Sequence, residues 1–127
     1  MGTESLIVIV TYNSQDFIES CLCSVSEQSY NDWFLAVVDN NSIDNTTARI
    51  KEYINASRVI TESNFELITL KKNIGFSGAV NYAVFNFIPE EKKDLERDLR
   101  FLILLNPDIC LKKCLKVLLI IISSTSS

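Results

Sequence analysis

Histidine is absent from the chain. That removes Ser-His-Asp and Cys-His catalysis, together with the histidine-bearing zinc sites. Cysteine is sparse and badly spaced for metal. Cys21 and Cys23 are two apart and Cys110 and Cys114 four apart, so neither pair has the two-residue spacer of a zinc knuckle or redox motif. Cys21 and Cys114 fall on apolar helical faces, and four reduced thiols in a cytosolic protein are expected. Only three glycines and two prolines occur, and no G-x-G-x-x-G follows any apolar run, which argues against a dinucleotide oxidoreductase. Positive charge is scattered: net charge is −4 with no basic stripe, so nucleic acid is not expected as a partner. A nucleotide stays open, because a metal ion can neutralise phosphate. Long hydrophobic runs are missing as well. Leu6 to Val10 is five residues and Val117 to Ile122 six, too short for a signal peptide or a membrane span. A soluble chain is expected.

What is present is a regular alternation of buried strands and amphipathic helices. Leu6-Ile7-Val8-Ile9-Val10 predicts a strand apolar on both faces, and Phe17, Ile18, Cys21, Leu22 and Val25 then recur at helical spacing. Asp16 is expected in that helix's first turn, where the helix dipole favours it. Phe34-Leu35-Ala36-Val37-Val38 predicts a second strand, and Ile50, Tyr53 and Ile54 a second helix. Phe65 to Leu70 alternates more, as a strand nearer an edge does. Ala79, Val80, Ala83, Val84 and Phe87 mark a third helix ending before Pro89. Glu90 to Arg100 is charged and predicts a solvated loop or short surface helix, before a fourth strand over Phe101 to Leu105. Leu111, Cys114, Leu115, Leu118, Leu119 and Ile122 repeat at three and four, predicting a last helix with Lys112, Lys113 and Lys116 on its wet side. Residues 123–127 are a polar tail expected to fray. Four strands alternating with helices imply an α/β fold: one domain over 1–127, Rossmann-like, with a mainly parallel sheet and helices on both faces.

In such a sheet the residues just after each strand gather on one edge, where open α/β folds bind ligands. Here they are Thr11-Tyr12-Asn13, Asp39-Asn40-Asn41-Ser42, Lys71-Lys72-Asn73 with Gly75-Phe76, and Asn106-Pro107-Asp108. Each turn alone suits an ordinary polar connection. Four converging turns rich in carboxylate, carboxamide and hydroxyl groups make a better candidate for a polar ligand site. Asp39 can accept from the N–H of a pyrimidine, or cap the following helix. Tyr12 offers a flat face or a hydroxyl near the same base, and Asn73 can donate and accept at a base or ribose edge. Gly75 allows close backbone approach or positive φ. Asn81, within the third helix, either faces solvent or reaches the sugar. Pro107 stiffens a turn in which Asp108 is the best ligand for Mg²⁺ or Mn²⁺, cations that prefer oxygen donors. Exposed Lys71 and Lys72 are most simply solvated. The first strand does not end in paired acids, which argues against a signalling receiver domain.

The series Val-Ile-Val-Thr-Tyr-Asn-Ser, Val-Val-Asp-Asn-Asn-Ser, Asn73-Ile74-Gly75-Phe76-Ser77-Gly78-Ala79-Val80-Asn81 and Leu-Asn-Pro-Asp resembles the family 2 glycosyltransferases, especially their rhamnosyltransferase-like branch. The resemblance spans residues 6 to about 119, with four motifs in order. It implies a GT-A nucleotide-sugar-binding fold and inverting sugar transfer from a nucleoside-diphosphate sugar to a glycan or lipid-linked acceptor. Carried over by position, Thr11, Tyr12 and Asp39 hold the base, Asn13 and Asn41 sit beside them, and Asn73, Gly75, Phe76 and Asn81 line the ribose and donor pocket. Asn106 and Asp108 take the place of the family's metal-binding acidic motif, with Asn at its first acidic position, so that Asp108 is the main ligand for Mg²⁺ or Mn²⁺. Gly78-Ala79 departs from the paired glycines common in this motif. The resemblance further implies polysaccharide biosynthesis in the cytoplasm, extending to the periphery of the inner face of the membrane. No carboxylate follows Asp108, so the base that deprotonates the acceptor, and with it the acceptor-binding half, is expected to be missing. The expected protein is a donor-binding half, weak or inactive alone. The alternative is a non-catalytic nucleotide-binding module or remnant.

Overall fold

The structure, a computed structural model, describes residues 5–28, 32–87, 101–105 and 119–121. In chain order the elements are β1 (Ser5–Thr11), α1 (Ile18–Ser26), β2 (Trp33–Asp39), α2 (Thr46–Ala56), β3 (Phe65–Thr69), α3 (Gly75–Phe87), β4 (Phe101–Leu105) and β5 (Leu119–Ile121). They build one sheet in the order β3-β2-β1-β4-β5, with the first four strands parallel and β5 antiparallel to β4. The chain steps outward from β1 through β2 to β3, then crosses back to place β4 on the other side of β1. The sheet therefore reverses its winding between β1 and β4, the position where open α/β folds form a crevice.

The two-residue period of the strands sorts the core into two layers. Ile7 and Ile9 of β1 and Leu35 and Val37 of β2 pack with Ile18, Cys21, Leu22 and Val25 of α1 and Ile50 of α2. Leu6, Val8 and Val10, with Ala36 and Val38, face Ala79, Val80 and Ala83 of α3. Helices thus cover both faces, which is why β1 and β2 read as continuous apolar runs. Each fully buried Leu, Ile or Val stabilises the fold by about 1.5–3 kcal/mol relative to leaving it in water. β3 is the edge strand, and its alternating, half-buried pattern follows from that place.

Two expectations are corrected. The helix predicted across residues 111–122 does not hold at Leu119–Ile121, which is strand β5, paired Phe101↔Ile121 and Ile103↔Leu119. A short apolar run fits either period, and there the β-branched Ile120 and Ile121 and the open edge of β4 favour the strand. Asp16 lies in the turn ahead of α1, and the acid in the first helical turn is Glu19. The predicted loop over Glu90 to Arg100, the turn Asn106-Pro107-Asp108, Cys114, and Lys112, Lys113 and Lys116 lie outside the described residues. Neither Cys21 nor Cys23 is in a disulfide.

Candidate functional site

Strands β1, β2 and β3 end flush: Thr11 is in register with Asp39, and Asp39 with Thr69. The ladder carries one step further, Asn40 N–H donating to Thr11 O at 2.8 Å and Leu70 N–H to Asp39 O at 2.9 Å. Strand parity then decides where the polar side chains go. Thr11 continues the row of Ile7 and Ile9, and Asp39 the row of Leu35 and Val37, so both sit on the α1/α2 face and are buried. Asn40 has the parity of Ala36 and Val38 and faces the α3 side.

A buried carboxylate is costly unless hydrogen-bonded, and Asp39 is held by three donors. Its Oδ1 accepts from the Thr11 hydroxyl at 2.6 Å and the Ser42 hydroxyl at 2.6 Å; its Oδ2 accepts from Ser42 N–H at 2.8 Å. Ser42 also accepts from Asn13 N–H at 2.8 Å, and Asn13 Oδ1 accepts from Ile43 N–H at 2.9 Å. The turns after β1 and β2 are therefore stitched into one surface. Their sharp reversals use Asn13 at φ 48° and Asn41 at φ 65°, a left-handed backbone that asparagine tolerates better than most residues.

The turn after β3 is organised separately. Asn73 Oδ1 accepts from Gly75 N–H at 2.8 Å, and Gly75 takes φ +81° as α3 begins. A Cβ at Gly75 would meet nothing within 4 Å, so the backbone angle, and not crowding, calls for glycine. The side-chain amide of Asn40 spans to this turn, accepting from Ile74 N–H at 3.1 Å and donating to Gly75 O at 3.1 Å.

Among the residues expected at the site, Thr11 and Asp39 form its buried floor, while Tyr12, Asn13, Asn41, Asn73, Gly75, Phe76 and Asn81 are exposed. Tyr12 and Phe76 present about half of their surface, at 51% and 48%. Lys71 and Lys72 are exposed. Asn106 and Asp108 lie outside the described residues. Asp39 does not cap a helix, since α2 begins at Thr46 and Asp44 accepts that residue's N–H at 3.0 Å. Sequence reasoning gave no individual role to Ser42 or Asn40. The signal available for Asn40 was the strand period, which puts consecutive residues 39 and 40 on opposite faces.

Three ionisable groups outside this floor are shifted. Burial raises the pKa of Asp44, but the Thr46 hydroxyl and N–H and the Gln15 N–H outweigh it, holding the carboxyl below 3.8. The Glu27 carboxylate accepting from Cys23 Sγ at 2.9 Å pushes that thiol up, and burial pushes Tyr53 up. An open groove lined by Glu19, Asn45, Ala48, Arg49 and Glu52 contains none of the floor residues. Among the described residues no cluster of three His, Cys, Asp or Glu can hold a metal.

A family model for glycosyl transferase family 2 matches residues 6–87, more than half of the chain. The chain belongs to that family. The family 2 match takes in β1 through α3, with every turn described above. Protein CgeD of Bacillus subtilis is 31% identical over 65 residues, which cover 51% of this chain and 15% of that protein. The UDP-Glc:alpha-D-GlcNAc-diphosphoundecaprenol beta-1,3-glucosyltransferase WfgD of Escherichia coli is 32% identical over 78 residues, 61% of this chain and 28% of that one. The mannosyltransferase PcManGT of Pyrobaculum calidifontis, solved with GDP-Man and Mn²⁺, superposes with a TM-score of 0.66 at 20% identity, covering 85% of this chain and 28% of its own. TarS 1–349 of S. aureus, in complex with UDP, gives 0.62 at 23% identity, covering 83% and 27%. These likenesses establish the GT-A fold for this family 2 chain, which spans less than a third of each relative's length.

Proposed function

We propose that the rim at the ends of β1, β2 and β3 binds the nucleoside diphosphate of a sugar donor, as the donor-binding part of an inverting, metal-dependent glycosyltransferase. The observation that carries this reading is the Thr11–Asp39 pair: a buried carboxylate fixed by three donors at the sheet's carboxyl edge, with the half-exposed Tyr12 following β1 and the half-exposed Phe76 at the start of α3. Two structural neighbours bear nucleotides or nucleotide sugars, GDP-Man in one and UDP in the other, which supports the same ligand class here.

The chemistry follows from the groups present. Oδ2 of Asp39 accepts one hydrogen bond from the protein and keeps capacity for an N–H at a base edge. Tyr12 supplies a ring for that base. Asn73, Gly75 and Phe76, at the start of α3, line the ribose and sugar side, with Asn81 one to two turns further along the helix. Asn13 and Asn41 shape the turns between these groups. Asn106 and Asp108 would hold Mg²⁺ or Mn²⁺, which when bound offsets charge on the departing diphosphate. Inversion requires a base within hydrogen-bond reach of the acceptor hydroxyl, and no residue of this chain is assigned that part. The acceptor we envisage is a glycan or lipid-linked sugar. No described helix is long and apolar enough to cross a membrane, and we place the reaction in the cytoplasm.

Calorimetric titration with UDP-, GDP- and dTDP-sugars, with and without Mn²⁺, tests this. Metal-dependent binding that Asp108→Ala abolishes is the expected result. Metal-independent binding would support a non-catalytic nucleotide module, and no binding of any of the three would defeat the reading.

A further inference from the structure

The side-chain amide of Asn40 is buried, 3% exposed, and both of its ends are bonded to the turn that opens α3. Its oxygen takes the N–H of Ile74 and its nitrogen gives to the carbonyl of Gly75, both at 3.1 Å, across 34 and 35 residues of chain. An amide that donates and accepts in this way does what a neighbouring strand's peptide group does, one residue beyond the end of β2. Its own N–H is meanwhile tied to Thr11 O at 2.8 Å. One residue therefore fastens the ends of β1 and β2 to the turn that opens α3.

We infer that Asn40 is a positioning residue, acting through Ile74 and Gly75 to hold the start of α3 at a set distance from the Asp39 carboxylate. Asp39 and Asn40 are consecutive and project to opposite faces, so their backbone fixes the spacing between the base side and the sugar side of the rim. Glycine adopts the left-handed φ at Gly75 without steric cost but does not enforce it, so the turn's angle depends on the bonds made to it. Asn73 Oδ1 pins the Gly75 N–H from within the turn; Leu70 N–H ties the turn's start to Asp39 O, and Asn40 ties its end, at Ile74 and Gly75, to the strand ends. The consequence for the ligand rests on the donor-binding reading above, whereas the consequence for the turn does not.

The test uses the full chain with three variants: Asn40→Ala, Asn40→Asp and, as a control in the opposite core layer, Val25→Ala. Hydrogen exchange at the Ile74 amide is followed by NMR, and affinity is measured for UDP with Mn²⁺. Asn40→Ala is expected to speed Ile74 exchange about five- to tenfold, the effect of losing one hydrogen bond, and to weaken UDP by a similar factor. Asn40→Asp keeps an acceptor for Ile74 N–H but loses the donor to Gly75 O, so it should preserve Ile74 protection while still weakening UDP. Val25→Ala should lower stability and leave both readouts near wild type. Ile74 exchange in Asn40→Ala no faster than in Val25→Ala would overturn the inference. So would failure of both Asn40 variants to fold, since a clamp on one turn is worth too little to hold the domain. If the wild-type chain binds no UDP, the donor-binding reading falls and the exchange result alone decides the role of Asn40.

Discussion

The hydroxyl of Thr11 donates to Oδ1 of Asp39 at 2.6 Å across 28 residues of chain, joining the last residues of two parallel strands inside the protein. The parallel register delivers both side chains to one face at one height, and Ser42 then closes the carboxylate from above. Replacing the acceptor tests this floor. Asp39→Asn puts an NH₂ group among three donors and leaves at least one buried donor unmatched, costing about 1–3 kcal/mol. The expected outcome is a lowered urea midpoint with the sheet intact by circular dichroism, together with lost affinity for uridine nucleotides. Unchanged stability and affinity would remove Asp39 from both roles.

Ser42 links the two turns by accepting from Asn13 N–H and donating to Asp39. Ser42→Ala removes the hydroxyl and leaves Asn13 N–H to solvent, since Asn13 is exposed. The loss should be about 1 kcal/mol, with faster exchange at the Asn13 amide and no change at Ile74. Equal acceleration at both amides would mean that the two turns do not move independently.

Much of this architecture was legible in the sequence for a definite reason. β1 and β2 are covered on both faces, so their apolar runs are uninterrupted. α1, α2 and α3 each keep a buried stripe, and β3 alternates because it is an edge. β5 was missed because Leu118, Leu119 and Ile122 fit a three-four spacing, while the partner that makes Leu119–Ile121 a strand is β4, far away in sequence. At the site, convergence of the turns after β1, β2 and β3 followed from parallel topology alone. The bonds that fix those turns did not, because Ser42, Asn40 and Asp44 act across 29 to 35 residues or through turn geometry that composition does not encode.

Gly75 adopts φ +81° with open space where a side chain would sit. Gly75→Ala should therefore cost about 1–2 kcal/mol through backbone strain alone, without a steric clash. Gly75→Asn should cost less, because asparagine visits this region more readily, as Asn13 and Asn41 do in the same rim. Thermal unfolding of the two variants gives the comparison. Alanine and asparagine destabilising equally would point to a different reason for glycine.

Asp44 gives the fold an acid-sensitive tie. Its folded pKa lies below the ordinary 3.8, through Thr46 and Gln15 outweighing burial. A carboxyl with a depressed folded pKa contributes stability that is fully present above its unfolded value and lost as pH falls through the folded one. The contribution of Asp44 is therefore intact at neutral pH and declines below about pH 4. Asp44→Asn should be less stable than wild type at neutral pH and should lose less stability on acidification to about pH 3. Parallel urea curves at the two pH values check the sign.

The most direct measurement is a map of where a nucleotide sugar touches the chain: backbone NMR shifts on adding a UDP- or GDP-sugar with the diamagnetic Mg²⁺. The account predicts the largest changes at Thr11, Tyr12, Asp39, Asn73 and Gly75, along a single edge of the sheet. Changes confined to the groove around Glu19 and Arg49, or none at saturating ligand, would contradict it.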